Sequence, residues 1–191
     1  MKVTWDHDKN LANQKKHGVS FEEASELFTS GVDSLEIFDE GHSELEDRFI
    51  SIGPIRRGWV LVSGPSVTKT WSASSARAGR RGASRRSSAT ISDDAMTDVP
   101  ELTKSHFEGA ISAKLRRRMI QGKFESGADI AALRKFVLLT QAEFARAMGI
   151  SVHTLRNWEQ GRRTPEGPAL ALLRIAARHP RIIRENLRSA A

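Results

Sequence analysis

Four polar side chains between residues 153 and 157 have the chemistry needed to read a DNA sequence. They are His153, Thr154, Arg156 and Asn157, and the apolar residues between them predict that they share the outer face of one helix. Arginine suits guanine, asparagine suits adenine, and threonine suits a hydroxyl contact or a thymine methyl group. The pattern therefore predicts a surface that enters the major groove of double-stranded DNA.

Residues that flank this face are expected to add further contacts with DNA. Gln141, at the start of the preceding predicted helix, can bind phosphate through its side chain and the helix N-terminus. Arg162 and Arg163 directly follow the face and are placed for backbone phosphates. Val152 offers only an apolar contact with a base.

Two short predicted helices position these side chains. The stretch "TQAEFARAMG" starts at the N-cap Thr140 with Glu143 three residues later, and "SVHTLRNWEQG" starts at the N-cap Ser151. Gly149 supplies the tight turn between them. The inward positions that would hold the two helices together are Phe144, Ala145, Met148, Ile150, Val152, Leu155 and Trp158. Residues 140–163 are therefore predicted to form a helix-turn-helix.

This stretch, and in particular "RNWEQGRRTP" from Arg156 to Pro165, resembles the XRE-type, phage-repressor-like family of helix-turn-helix proteins. The resemblance covers about residues 126–180 and is strongest to antitoxin-type regulators. It implies a five-helix domain that forms a homodimer, binds a palindromic operator and represses transcription. The family's dimer contact would fall between Leu170 and Ile183.

Charge and composition divide the chain into an acidic front and a basic rear. The first 50 residues carry 5 Lys and Arg against 12 Asp and Glu, whereas the remaining residues carry 25 against 11. A polyanionic partner is therefore expected at the rear. The absence of Cys excludes disulfides and thiolate catalysis, and the six His show no metal-ligand spacing, so we expect neither a metal nor a cofactor. No apolar run would span a membrane and no signal peptide is evident, which predicts a cytoplasmic protein.

The acidic front is predicted to be an α+β module over residues 1–62. "KVTW" predicts a strand, and "DKNLANQKKHG" predicts a helix with Leu11 on its inner face that ends at Gly18. "SFEEASELF" predicts a second helix that opens with a capping box between Ser20 and Glu23. "SLEIF", "DRFISIG" and "GWVLV" predict three strands, which gives the order β-α-α-β-β-β.

The stretches "VTWDHDKNLANQKKHGVSFEEASELF" and "HSELEDRFISIG" resemble the BrnT family of toxins. These proteins are small ribonucleases of RelE-like fold, which hold RNA phosphate with basic side chains. The resemblance implies Lys15, Lys16, His17 and Arg48 as candidate catalytic residues. An alternative stays open, in which the two lysines form a solvated helix face and His17 is a residue favoured by the dipole at a helix C-terminus.

Residues 63–95 are predicted to be a disordered linker rich in Ser, Ala and Arg, because residues 63–92 contain no Asp or Glu and few large apolar residues. The BrnT family continues here into a strand and a basic helix that typically read like "TERDEDVVRIISARRATRRER". If Ser63–Arg86 is translated back into codons and read in the frame that starts at the third base of each codon, allowed synonymous choices give a sequence closely similar to that family segment. We therefore interpret the front as a truncated toxin module, frameshifted near Val62, that runs into an antitoxin formerly starting at Met96.

The rear, residues 96–191, is predicted to be all-helical with its core at 126–180. "ELTKSHFEGAISAKLRRRMIQ" predicts one helix with Phe107, Ile111, Leu115 and Met119 on a single stripe. Four more helices follow, and Pro180 is expected to end the last of them. The stripe over 103–121 would dock on a toxin, pack in the core or form a dimer interface. The whole chain is then a regulator fused to an inactive toxin remnant, a fusion that retains endoribonuclease activity, or a repressor whose front half is a scaffold or ligand sensor.

Overall fold

The computed structural model describes residues 2–67, 70–72, 75–79, 102 and 104–189. The chain forms two compact units. The first comprises Met1–Ser34 and Ile50–Glu101, and the second comprises Leu35–Phe49 and Leu102–Ala191. The units therefore differ from the modules delimited by sequence, because a segment from within the predicted toxin module belongs to the same unit as the predicted DNA-binding domain.

Helices and strands succeed one another along the chain as follows. They are β1 (Lys2–Thr4), α1 (His7–His17), α2 (Phe21–Thr29), β2 (Leu35–Phe38), a 3-10 turn (Glu40–His42), β3 (Arg48–Ile55), β4 (Gly58–Val67), β5 (Thr70–Ser72), β6 (Ser75–Gly79), α3 (Lys104–Glu108), β7 (Ile111–Ser112), α4 (Ala113–Ile120), α5 (Gly127–Phe136), α6 (Gln141–Ala147), α7 (Val152–Glu159), α8 (Pro168–Arg178) and α9 (Pro180–Ser189). This order confirms an α+β front and a helical rear.

The two helices of the first unit are fastened to each other by buried asparagines. Asn10 Oδ1 accepts a hydrogen bond from the Phe21 backbone N–H at 2.6 Å, and Asn13 Nδ2 donates to the Val19 carbonyl at 2.9 Å. The expectation that Leu11 faces inward is wrong, since that side chain is 52% exposed. The helix turns its asparagines inward because they satisfy buried backbone groups at the start of α2.

The second helix follows its sequence signals closely. Ser20 Oγ accepts from the Glu23 N–H at 3.2 Å, and Glu23 Oε2 accepts from the Ser20 N–H at 3.0 Å, which completes the predicted capping box. These bonds, with the Arg57 guanidinium at 2.8 Å, lower the pKa of Glu23. Phe21, Ala24 and Leu27 are buried in a core that also contains strand β4 residues.

Strands continue in the first unit well beyond Val62. Strand β4 runs to Val67, pairs antiparallel with β6 from Trp59↔Gly79 to Ser63↔Ser75, and pairs antiparallel with β5 at its end. Strand β1 runs parallel to β5. The start of the predicted linker therefore needs correction. Backbone ladders do not require apolar side chains, so a Ser- and Ala-rich stretch forms a strand when a partner is available. The later part of that linker, residues 80–95, lies outside the described residues.

The single helix predicted over 103–121 is wrong, because the stretch divides into α3, strand β7 and α4. Gly109 follows α3 directly and lies where an added Cβ would come within 2.8 Å of the Lys135 carbonyl, so the backbone passes α5 too closely for a side chain at this position. Ser112 then caps α4 by accepting from the Leu115 N–H at 3.1 Å. Phe107 is consequently 48% exposed while Met119 is fully buried, and the four apolar residues do not form one stripe.

Pro180 begins helix α9 instead of ending the helical region. Proline is tolerated in the first turn of a helix because its missing N–H would have no intrahelical partner there. The Asp47 carboxylate accepts from the Arg181 N–H at 2.9 Å and so caps this helix. The core of the second unit contains Phe38 and Phe49 together with residues of helices α4 to α9. Within the described part of the chain, no helix is long and apolar enough to cross a membrane.

Candidate nucleic-acid interface

Helices α6 and α7 form a pair whose ends are set by side-chain caps. Thr140 Oγ1 accepts from the Glu143 N–H at 3.3 Å, and Glu143 Oε2 accepts from the Thr140 N–H at 2.9 Å. The hydrogen bonds from Thr140 lower the pKa of Glu143. Gly149 turns the chain with a φ of 66°, in the left-handed region that glycine favours. Ser151 Oγ then accepts from the Thr154 N–H at 3.0 Å to start α7.

The apolar residues of the pair lie where the two helices meet the rest of the unit. Phe144, Ala145 and Leu155 have almost no exposed surface, and Met148 and Trp158 are also buried. Ile150 and Val152 are half-buried and pack against the same core. The orientation of α7 is therefore determined by burial on one side.

The opposite side of α7 carries the side chains that were predicted to contact bases. His153 and Arg156 are exposed, and Thr154 and Asn157 are half-buried. The Thr154 hydroxyl is 2.9 Å from Ser151 Oγ, so it shares a hydrogen bond with the N-cap. The structure thus brings these four residues together on one helix.

The two arginines after α7 are exposed, and their backbone closes the end of the helix. The N–H groups of Arg162 and Arg163 donate to the Asn157 carbonyl at 2.9 and 3.3 Å. This arrangement fixes the chain direction beyond α7, while both side chains extend from the surface.

Gln141 lies in a network that sequence reasoning missed. Its Nε2 donates to Glu159 Oε2 at 2.7 Å, and its Oε1 accepts from Arg156 Nε at 3.2 Å. Glu159 is also paired with Arg134, whose Nε lies 2.6 Å from Glu159 Oε1. The signal available in the sequence was Glu159, an acidic residue at the end of a helix predicted to bind DNA. Its partners lie on two other helices at no regular spacing, so the sequence does not connect them.

The four candidate catalytic residues of the toxin-type part do not all belong to one unit. Lys15, Lys16 and His17 form the last turn of α1 in the first unit, where the lysines are exposed and His17 is half-buried. Arg48 belongs to the second unit and has its Nη1 4.0 Å from Glu46 Oε1. That these residues form a ribonuclease site stays a prediction. Among the described residues, no three His, Cys, Asp or Glu side chains are grouped to hold a metal ion.

A second feature of the unit that sequence reasoning missed is the acidic segment, defined here as Leu35–Phe49. Its strand β2 pairs antiparallel with β7, with Leu35 opposite Ser112 and Glu36 opposite Ile111. Between these strands and α8 lies Arg116, which is 4% exposed. Its Nη1 donates to Glu36 Oε2 at 2.8 Å, and its guanidinium lies 3.7 Å from the centre of the Phe49 ring.

The other end of the acidic segment is held by α9. Asp47 Oδ2 lies 3.0 Å from His179 Nδ1, in addition to the capping contact of the same carboxylate. Glu40 pairs with Arg184, which also donates to the Val137 and Leu138 carbonyls just before α6. The segment is therefore attached at both ends by charged groups.

Comparisons with known proteins cover both the α6–α7 helix pair and the acidic segment. Residues 5–81 match the family described as ribonuclease toxin, BrnT, of type II toxin-antitoxin systems. Residues 99–188 match the family described as the antitoxin component of a bacterial toxin-antitoxin system, MqsA. Antitoxin HigA-2 of Vibrio cholerae serotype O1 is 37% identical over 78 residues, which cover 40% of this chain and 75% of that protein.

These similarities define a bacterial toxin–antitoxin protein in which both kinds of sequence are joined in one chain. Through its C-terminal part the chain belongs to the antitoxin family of HigA-2, and its N-terminal part is a BrnT toxin domain. The BrnT match runs past Val62 to residue 81, so it includes strands β5 and β6.

Proposed function

We propose that this chain is a sequence-specific DNA-binding regulator of antitoxin type that represses its own toxin–antitoxin operon. The observation that carries the proposal is the helix pair α6–α7, whose buried side is apolar and whose outer side presents base-reading side chains. The pair lies inside the antitoxin-type region, which supports a regulatory role. Such a protein acts on DNA in the cytoplasm and carries out no catalysis.

In this proposal α7 enters the major groove as the recognition helix of a helix-turn-helix. Arg156 and Asn157 make the principal base contacts, and His153, Thr154 and Val152 complete the surface. Arg162, Arg163 and Gln141 lie at its edges, where the phosphates of the two strands run. An exposed arginine beside an amide side chain is a combination suited to reading a guanine next to an adenine.

The operator is palindromic in this proposal, because the regulator binds as a homodimer with two equivalent recognition helices. Exposed apolar side chains support a dimer contact on α8 and α9, where Leu172, Ile175 and Ile182 each have more than a third of their surface exposed. Light scattering of the purified chain should give the mass of a dimer. Ile175→Asp should shift it to a monomer, whereas a monomeric wild-type chain would contradict this part of the proposal.

Binding to the promoter fragment of the chain's own operon tests the proposal directly. Arg156→Ala and Asn157→Ala should each weaken specific binding by roughly 1–3 kcal/mol. Arg117→Ala is the matched control, because that arginine is exposed on α4, away from the α6–α7 pair. The affinity of the wild-type chain should fall steeply with salt, since phosphate contacts release counterions. Equal affinity for the promoter and an unrelated duplex would contradict the proposal.

A second candidate function concerns a toxin partner. The 103–121 stretch, for which docking on a toxin is one of the three interpretations given above, contains β7 and Arg116, and both contact the acidic segment, which lies within the BrnT match. We propose that this contact is a toxin–antitoxin contact made within one chain, and that it accompanies an inactive toxin module. The alternative is a bifunctional fusion with residual endoribonuclease activity.

RNA cleavage by the purified chain separates these two possibilities. No cleavage is expected from the wild-type protein. Cleavage that disappears in Lys16→Ala and His17→Ala would instead favour the bifunctional fusion. The gene sequence across codons 58–66 tests the frameshift interpretation, which fails if no single-base change restores the BrnT reading frame.

A further inference from the structure

A chain of four side chains connects the buried side of the helix pair to its outer face. It runs from Arg134 on α5 through Glu159 and Gln141 to Arg156. We propose that Gln141 is a positioning residue, which holds the Arg156 guanidinium in the orientation that reads one base pair. The inference rests on the proposed function and changes the role of Gln141 from a phosphate contact to a specificity determinant.

The inner end of this network of side chains is the ion pair between Arg134 and Glu159. The side chains of Arg134 and Glu159 are 14% and 9% exposed, and Arg134 Nη1 also donates to the Leu139 carbonyl at 3.1 Å. A charged pair that is buried and makes additional hydrogen bonds has few alternative geometries. The Glu159 carboxylate is therefore held in one orientation beneath the outer face of α7.

Glu159 in turn decides which way the Gln141 amide faces. A carboxylate only accepts hydrogen bonds, so the group of Gln141 that lies 2.7 Å from Glu159 Oε2 is the NH₂ group. The amide oxygen must then face the other way. The sequence of donors and acceptors leaves a single consistent assignment for this side chain.

The outward-facing oxygen of Gln141 accepts from Arg156 Nε at 3.2 Å. This bond uses one of the five N–H groups of the guanidinium, and the two Nη groups remain for the two acceptors that guanine presents in the major groove. Arg156 is exposed, so without Gln141 its side chain would sample many rotamers. The network therefore orders a base-reading side chain before DNA is bound.

The test begins with selection of a preferred duplex from a library of random 20-base-pair DNA by the full-length chain. The dissociation constants of that duplex and of its single-base-pair variants are then measured. Arg156→Ala should lose about 5- to 150-fold of discrimination at one base pair in each half-site. Gln141→Ala should lose discrimination at the same base pair, and the double variant should be no worse than Arg156→Ala alone.

Gln160→Ala is the matched control, since Gln160 is an exposed glutamine that follows α7 directly. It should keep the full preference. Glu159→Gln should reproduce the loss at the same base pair, because an amide at 159 permits Gln141 to reverse. Thermal melting of each variant identifies any that fails to fold. If Glu159→Gln fails to fold, Gln141→Ala still tests the inference, because Gln141 is only half-buried.

Three outcomes overturn the inference, and they distinguish its failure from failure of the proposed function. If Gln141→Ala weakens all duplexes by one factor, Gln141 is a phosphate contact and only this inference fails. Independent, additive effects of Gln141→Ala and Arg156→Ala would have the same meaning. If the wild-type chain enriches no sequence from the library, the proposed function fails and the inference fails with it.

Discussion

The α6–α7 helix pair and the acidic segment Leu35–Phe49 lie in the same compact unit but are held by contacts of different range. Both helices of the pair start with a cap that joins residues three positions apart, at Thr140 and Ser151. The acidic segment is held by pairs such as Glu36 with Arg116 and Asp47 with His179, which are 80 and 132 positions apart. Short-range contacts leave a sequence pattern, whereas long-range pairs leave none.

The family matches and the compact units have different boundaries along this chain. The acidic segment lies within the BrnT match, yet its Phe38 and Phe49 belong to the core that contains α6 and α7. Phe49 stacks on Phe136 of α5, with their ring centres 6.1 Å apart. The antitoxin-type unit therefore depends on side chains supplied by the toxin-type sequence.

The largest effect is expected from Phe49→Ala. The ring is fully buried, and its removal leaves a cavity beside Phe136 and Arg116 that should cost about 3–5 kcal/mol of unfolding free energy. Urea unfolding monitored by the helical signal measures the loss. Leu45→Ala is the control from the same segment, because that side chain is 92% exposed and its removal should change stability by less than about 0.5 kcal/mol. Equal effects would show that the acidic segment is not part of the core.

Arg116→Ala should lower the free energy of unfolding somewhat less, by about 3 kcal/mol. The change leaves the Glu36 carboxylate, which is only 14% exposed, without its partner, and leaves the Ala177 and Arg178 carbonyls without the donors that now lie 3.0 and 3.3 Å away. The same unfolding experiment applies, with the exposed neighbour Arg117→Ala as control. If both variants unfold at the wild-type urea concentration, the acidic segment is not anchored through this arginine.

The elements that were predicted well are those with their signals close together in the chain. The capping boxes at Ser20 and Thr140 and the turn at Gly149 all fall within a few residues of the elements they define. The errors came from elements whose partners are distant. The serine-rich stretch after Val62 forms strands because β4 is available to pair with it, and "AISAK" leaves the helix because β2 pairs with it.

The same limit applies to the candidate interface. The outer residues of α7 could be chosen from helical periodicity, since Leu155 and Trp158 indicate which side is buried. The contacts of Gln141 could not be chosen in that way. They depend on how α5, α6 and α7 are arranged in space, which places Arg134 Nε and Gln141 Nε2 against the two different oxygens of Glu159.

One local and one distant helix cap sharpen the comparison at the level of about 1 kcal/mol of unfolding free energy. Thr140 caps α6 from the adjacent position, and Asp47 caps α9 from 134 positions away. Thr140→Ala and Asp47→Ala should each lower the unfolding free energy by about 1 kcal/mol, because each leaves a helix N–H without its acceptor. A cost near zero for Asp47→Ala would mean that water replaces the distant cap.

The smallest effect concerns the acid sensitivity of the local caps. Glu143 and Glu23 have lowered pKa values, the first because of hydrogen bonds from Thr140 and the second because of the Ser20 N–H and Arg57. A carboxylate with a lowered pKa in the folded state stabilises fully above its ordinary value of 4.5 and loses that contribution as the pH falls through the lowered pKa. Urea unfolding between pH 6 and pH 3 should therefore show a weaker decline in Glu143→Gln than in the wild-type chain. An unchanged decline would mean that Glu143 makes no net contribution to the start of α6, and that the local cap depends on Thr140 alone.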